Sequence, residues 1–281
     1  MIFTKKTFSL TLSNFNMCFK ESTSKQGDFM LNFISFFICL IISFFNLNSE
    51  IYHLSSVLTS VSQIQLFLIS CIPITFYALV LILFFRQKNK NITITEIFLY
   101  ILSGSLLAGS LSYRIIYHLD NFLFNAHSIL IIGAILEEFL KLIVFIIIFY
   151  ISRLQSDNLL KILFLASIFG LGFQLYEDYF YILNNIDLGS ANLFSSLLYR
   201  VSNAITSHWM YTGITALGFI VFITGKISKG KCLFWLISPC ILHIIWNSDW
   251  NNSILISSII SAITFSIYIY AYSVINTIKD Q

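Results

Sequence analysis

Eight apolar stretches, parted by short polar breaks, leave this chain little choice of environment: 31–48, 64–86, 97–117, 128–151, 159–183, about 196–224, 232–247 and 253–275. A bilayer core about 30 Å thick is crossed by about 20 apolar residues in a helix, the form in which a backbone satisfies its own hydrogen bonds in hydrocarbon. Composition closes the alternatives. Of 281 residues, 57% are apolar and 10% charged, against roughly 25% charged in soluble proteins. A soluble domain of this length still turns much of its chain to water and has nowhere to hide so much apolar surface. The 29 Phe exclude a disordered chain, and two Pro with 11 Gly exclude a collagen-like or linker-rich one. The expectation is an all-α, polytopic transmembrane helix bundle of about eight spans, resident in the lipid bilayer of a cell membrane.

Basic residues concentrate in cytoplasmic loops and so give the orientation. Lys5, Lys6, Lys20 and Lys25 precede the first span, and Arg86, Lys88 and Lys90 follow the second. Arg153 and Lys161 flank the fourth loop, Lys226, Lys229 and Lys231 the sixth, and Lys279 ends the chain. Thirteen of the 16 basic residues thus fall on one side. Loops 49–63, 118–127, 184–195 and 248–252 hold none, and contain Glu50, Asp120, Asp187 and Asp249. Both termini are expected in the cytoplasm. Residues 1–29 read as a polar tail, disordered or, if Met30 is the true start, not translated; 30–281 form one helical domain. A net charge of +3 without a basic stripe gives no nucleic-acid partner. Cys18, Cys39, Cys71, Cys232 and Cys240 form no CxxC pair and read as small hydrophobes.

Arg114, Lys141 and Arg200 remain inside apolar runs, with Glu137, Glu138, Glu177, Asp178, His208 and His243. A charge at mid-bilayer costs roughly 2.5–3.5 kcal/mol on insertion scales, so those that persist are paired inside the bundle and mark function. In span four, Lys141 follows Glu137 by four residues and Glu138 by three, within helical reach of either; alone, the triplet also reads as a charge-paired staple. In span five, Gly170 and Gly172 permit close helix approach, Glu177 shares a face with Phe173, and Asp178 reads as a residue of the membrane surface. Span six carries Arg200, His208 and Thr212-Gly213; span seven carries His243, Trp246 and Asn247. A single histidine on an apolar helix is as well explained by structural hydrogen bonding. Depth makes these residues converge. At 1.5 Å per residue, Glu137 lies roughly 14 Å, Glu177 roughly 9 Å and His243 roughly 6 Å below the outer face. His208 falls about twelve residues into a long span six. Carboxylates with two imidazoles hold a divalent metal, leaving another Glu as base for its water. Without metal, a Glu in an apolar setting is a general base while His and Asn stabilise an oxyanion. Either arrangement hydrolyses with activated water and needs no Ser or Cys nucleophile.

At these residues the chain resembles the PrsW family of intramembrane proteases, within the wider superfamily of CAAX prenyl proteases and bacteriocin-processing enzymes. The matching pieces are Glu137-Glu138-x-x-Lys141, Gly172-Phe173 with Tyr176-Glu177 and Tyr181, Arg200 with His208 and Thr212-Gly213, and His243-x-x-Trp246-Asn247. They run in order from about 133 to 250. The resemblance implies a multi-pass endopeptidase of the bacterial inner or plasma membrane, acting on membrane-embedded protein or peptide substrates. It implies catalytic roles for Glu137, Glu138, Lys141, Glu177, His208, His243 and Asn247. It further implies that Glu177, His208 and His243 are ligands of one divalent metal, zinc, in the metal version of the mechanism. One departure stands out: Asp178 occupies a place where the family usually has Asn, so no amide donor is available beside Glu177.

Two other readings fit intramembrane carboxylates and histidines. A proton- or cation-coupled transporter uses such chains as relays, but no paired half-sequence symmetry with broken helices is present. A non-catalytic immunity or scaffold protein would keep the fold without turnover.

Overall fold

The apolar runs fold as helices. The structure, a computed structural model, describes residues 25–120, 126–152, 154, 157–186, 190–251 and 253–279, and among these no strand occurs. Most of the polar tail expected over 1–29 lies outside the described residues, as do Arg153 and Asp187. The helices are α1 (Lys25–Val57), α2 (Val61–Lys88), α3 (Ile94–Leu102), α4 (Ser110–Asp120), α5 (Ala126–Ile151), α6 (Leu159–Asn185), α7 (Ser190–Asn203), α8 (His208–Thr224), α9 (Lys229–Asn247) and α10 (Ile254–Lys279). A π-helical segment, Ser103–Gly109, joins α3 to α4 without a loop.

Six of the described helical stretches are long and apolar enough to cross a membrane: Val61–Lys88, Ile94–Leu119, Leu159–Asn185, Asn192–Thr224, Lys229–Asn247 and Ile254–Ile278. Helix α5 is of similar length, but every 18-residue stretch of it contains Glu137, Glu138 and Lys141. The expected first span, 31–48, lies within α1, which continues through the expected outer loop to Val57. Glu50 therefore sits on a helix, where its carboxylate accepts the Tyr176 hydroxyl at 3.0 Å.

Helix α6 forms the centre, packed against α8, the π segment, α3 and α2. It is apolar all round because it is buried all round: from Leu159 to Gln174 only Leu160 and Lys161 are more than marginally exposed. Its two glycines act as the sequence suggests. Any side chain at Gly172 would strike the Ile101 carbonyl, and one at Gly170 would meet the His208 carbonyl oxygen at 2.5 Å. Outward faces of the surrounding helices remain apolar, with Phe76 68% and Leu83 62% exposed, as lipid contact demands.

Span six departs from one continuous helix. The chain leaves α7 at Asn203, makes a 3₁₀ turn over Ala204–Thr206, and restarts at His208 after an extended Ser207. Residues 202–207 include Ser202, Asn203, Thr206 and Ser207, side chains that compete with helical backbone bonds. The indole of Trp209 donates to the freed Ala204 carbonyl at 2.8 Å. His208 is thus the first residue of a helix, at a break inside the apolar stretch Asn192–Thr224.

Candidate active site

Helix α5 brings Lys141 back over the turn that carries Glu138. Its Nζ donates to Glu138 Oε1 at 2.5 Å and to His208 Nδ1 at 3.0 Å. It also lies 4.5 Å from the centroid of the Phe173 ring, whose face attracts a cation. Lys141 is fully buried and Glu138 nearly so. Glu138 Oε1 meets His243 Nδ1 at 2.8 Å. An ionised carboxylate only accepts, so the imidazole proton stands on Nδ1 and, in the neutral ring, Nε2 keeps its lone pair. That lone pair faces the Asn247 amide at 3.3 Å and Glu137 Oε2 at 3.7 Å. Tyr211 stacks on the same imidazole, with 5.6 Å between centroids.

Helices α6 and α7 build the other half. Arg200 grips two consecutive acids, donating from Nη2 to Glu177 Oε2 at 2.7 Å and from Nε to Asp178 Oδ1 at 2.5 Å. Its guanidinium also covers the Tyr181 ring at 4.3 Å. Glu177 Oε2 is 2.8 Å from His208 Nε2. The Lys141 ammonium can only donate, so His208 accepts at Nδ1 and donates from Nε2 to Glu177. Asp178 is fully buried and holds the Tyr77 hydroxyl at 2.5 Å and the Gln174 amide at 3.2 Å. Asp178, expected at the membrane surface, is thus enclosed by protein side chains. Helix α6 runs on to Asn185, and the turn carrying Asp178 faces α2 and α7.

These side chains wall a cavity of about 380 Å³ lined by Glu137, Glu177, Arg200, His208, His243 and Asn247 among others. It is large enough for a chain segment with its attacking water. One ligand atom each of Glu137, His208 and His243 lie within 4.8 Å of one another. Glu137 Oε2 is buried and takes no hydrogen bond from the protein among the described residues. Four carboxylates, Glu137, Glu138, Glu177 and Asp178, face two cations, Lys141 and Arg200. When all are ionised, two negative charges are left in a dry setting, where uncompensated charge is costly. A divalent cation removes that excess, and two imidazoles with a carboxylate suit zinc. The donor set and its charge fit a metal.

All seven sequence-assigned residues, Glu137, Glu138, Lys141, Glu177, His208, His243 and Asn247, meet in this one place. Their grouping differs from the expected ligand set: Glu137 joins the two histidines, while Glu177 is held by Arg200 and His208 Nε2. Arg200 had a signal in the sequence, a guanidinium in an apolar run. Tyr77 had none, because it approaches Asp178 across 101 residues of chain. Arg114 stays apart from the cluster, on an exposed face of α4.

Residues 75–275 match the family described as PrsW family intramembrane metalloprotease. Among curated proteins and solved structures, no match was found.

Proposed function

The chain belongs to the PrsW family of intramembrane metalloproteases, and we propose that it cuts peptide bonds of membrane-embedded proteins at the Glu137–His208–His243 group. The observation that carries this reading is the unpartnered, buried Glu137 Oε2 beside two imidazoles at the wall of a polar cavity. Glu137, His208 and His243 would hold one divalent metal, zinc by its donor set. Bound there, the metal supplies a Lewis acid and a water acidic enough to attack near neutral pH.

The remaining residues have separate tasks. Glu138 orients His243 through Nδ1, the support a ligating imidazole commonly has. Lys141 neutralises Glu138 inside the membrane. Glu177 takes the proton from the attacking water and delivers it to the leaving amine. Arg200 fixes Glu177 in place, and the Asn247 amide donates toward the oxyanion that forms on the scissile carbonyl. The positive-inside pattern supports cytoplasmic termini, with α1 and α5 added to the six apolar stretches for eight spans. That topology puts the group in the outer half of a bacterial plasma membrane.

A metal-free version is favoured by one contact. Lys141 occupies His208 Nδ1 at 3.0 Å, so the proton of a neutral His208 stands on the nitrogen that a metal would need. In that version Glu137 is the general base, and the oxyanion site is the Asn247 amide with His243 as an imidazolium that donates from Nε2. Terminal-peptide proteomics of membranes tests the common core. Wild type should generate truncated membrane proteins that disappear with Glu137→Gln at unchanged protein level. Equal cleavage by the variant would remove Glu137 from the site in both versions.

A further inference from the structure

The carboxylates of the site also border a second cavity, of about 260 Å³, on the side of the π segment and α4. It shares Glu137, Glu177 and Tyr181 with the polar cavity. Its remaining character is aromatic: Phe173, Tyr176, Phe180 and Tyr181 come from one stripe of α6 at helical spacing, and Tyr113 faces them from α4. Phe180 stacks on Tyr113 with centroids 4.2 Å apart and lies 4.9 Å from Tyr176. The Tyr176 hydroxyl is drawn off to Glu50 on α1, leaving its ring as wall. Gly109, the last residue of the π segment, completes the lining. A side chain there would meet the Tyr176 ring at 2.7 Å, so the ring keeps its place only because that position is bare. Tyr113 and Tyr181, at 42% and 46% exposure, are the most exposed of its rings.

The two cavities divide by chemistry. One presents charged and amide groups, suited to water and the peptide backbone. The other, away from the shared carboxylates and apart from Ser112 and Asn184, presents ring faces that suit an apolar side chain. We propose that the aromatic cavity is the subsite for a bulky apolar side chain of the substrate next to the scissile bond. It rests on the proteolytic reading above and adds to it a substrate preference set by Phe180, Tyr113 and Ile116, an α4 residue that also lines the cavity.

The test uses purified full-length protein and a transmembrane peptide carrying the first cut site mapped for wild type. The residues flanking the cut are set in turn to Ala, Leu, Phe or Trp. Phe180→Ala, which enlarges the cavity, should raise cleavage of Trp relative to Leu about tenfold, and Ile116→Phe, which narrows it, should raise Ala relative to Leu by a similar factor. These are ratios within one protein, so a fall in folded enzyme lowers every member alike. Ratios unchanged in both variants would overturn the subsite while leaving proteolysis standing. Failure of wild type to cut any membrane protein would instead remove the proteolytic reading itself.

Discussion

The Glu138 carboxylate accepts the Nδ1 proton of His243 at 2.8 Å, joining residues 105 positions apart. This bond aims Nε2 of His243 at Glu137, so the carboxylate acts through the imidazole. Glu138→Gln keeps the shape but leaves one neutral carbonyl oxygen for both His243 Nδ1 and Lys141 Nζ, a weaker acceptor than the carboxylate. In the metal version, zinc affinity should fall about 10–100-fold, the usual cost of losing such a support. Titration of zinc into detergent-purified protein measures it, and unaltered binding would free Glu138 of this role.

Lys141 and Glu138 form a buried pair at 2.5 Å. Removing one member of such a pair strands the other charge, at a cost of about 3–5 kcal/mol. Lys141→Met should therefore melt well below wild type in nanodiscs. The double variant Lys141→Met with Glu138→Gln should recover much of the loss. If the double variant is as unstable as the single, packing of the lysine stem is the larger effect.

Arg200 uses two different nitrogens for two acids, Nε for Asp178 and Nη2 for Glu177. A lysine has no such fork, so Arg200→Lys should lose most activity by misplacing Glu177. Asp178→Asn can keep its carbonyl oxygen on Arg200 Nε and turn its amide toward the Tyr77 hydroxyl, which is able to accept, so it loses mainly charge assistance, worth about 1–2 kcal/mol. Comparing kcat of the two variants checks this. Equal damage would mean that Asp178 and Glu177 form a single inseparable unit.

Chelation separates the two mechanisms. If the metal version holds, stripping zinc abolishes cleavage, and adding it back restores both activity and about one bound equivalent per chain. Saturating metal should also raise unfolding stability, by about 2.7 kcal/mol at a hundredfold excess over Kd. Activity that survives complete demetallation, verified by elemental analysis, selects the metal-free version.

The bundle and the site differ in how far the chain reveals them. Long apolar runs announce helices because a continuous run of that length satisfies its own backbone in hydrocarbon only as a helix, and Glu137, Lys141 or His243 stand out in them because charge and polarity are costly there. Hydropathy is silent on rotation about the helix axis. It therefore could not say that Glu137 rather than Glu177 faces both imidazoles, nor that Asp178 turns inward to Tyr77. The π segment at Ser103–Gly109 is equally invisible in the hydropathy; there Ser103 bonds back to Leu99 at 2.6 Å and Ser110 to Leu106 at 2.6 Å. The break before His208 coincides with the polar run of residues 202–207, which an apolar average over the whole span smooths away.

The span between Glu138 and His243 also sets a clock. At about 5–20 residues per second, the ribosome needs about 5–20 s to make the 105 residues that separate them. Throughout that interval α5 exists without its imidazole partner, and Lys141, made within the same turn, is the counter-ion already present. The nascent chain thus carries its acids into the membrane already partly neutralised. The polar cluster has its second imidazole only once α9 has been made.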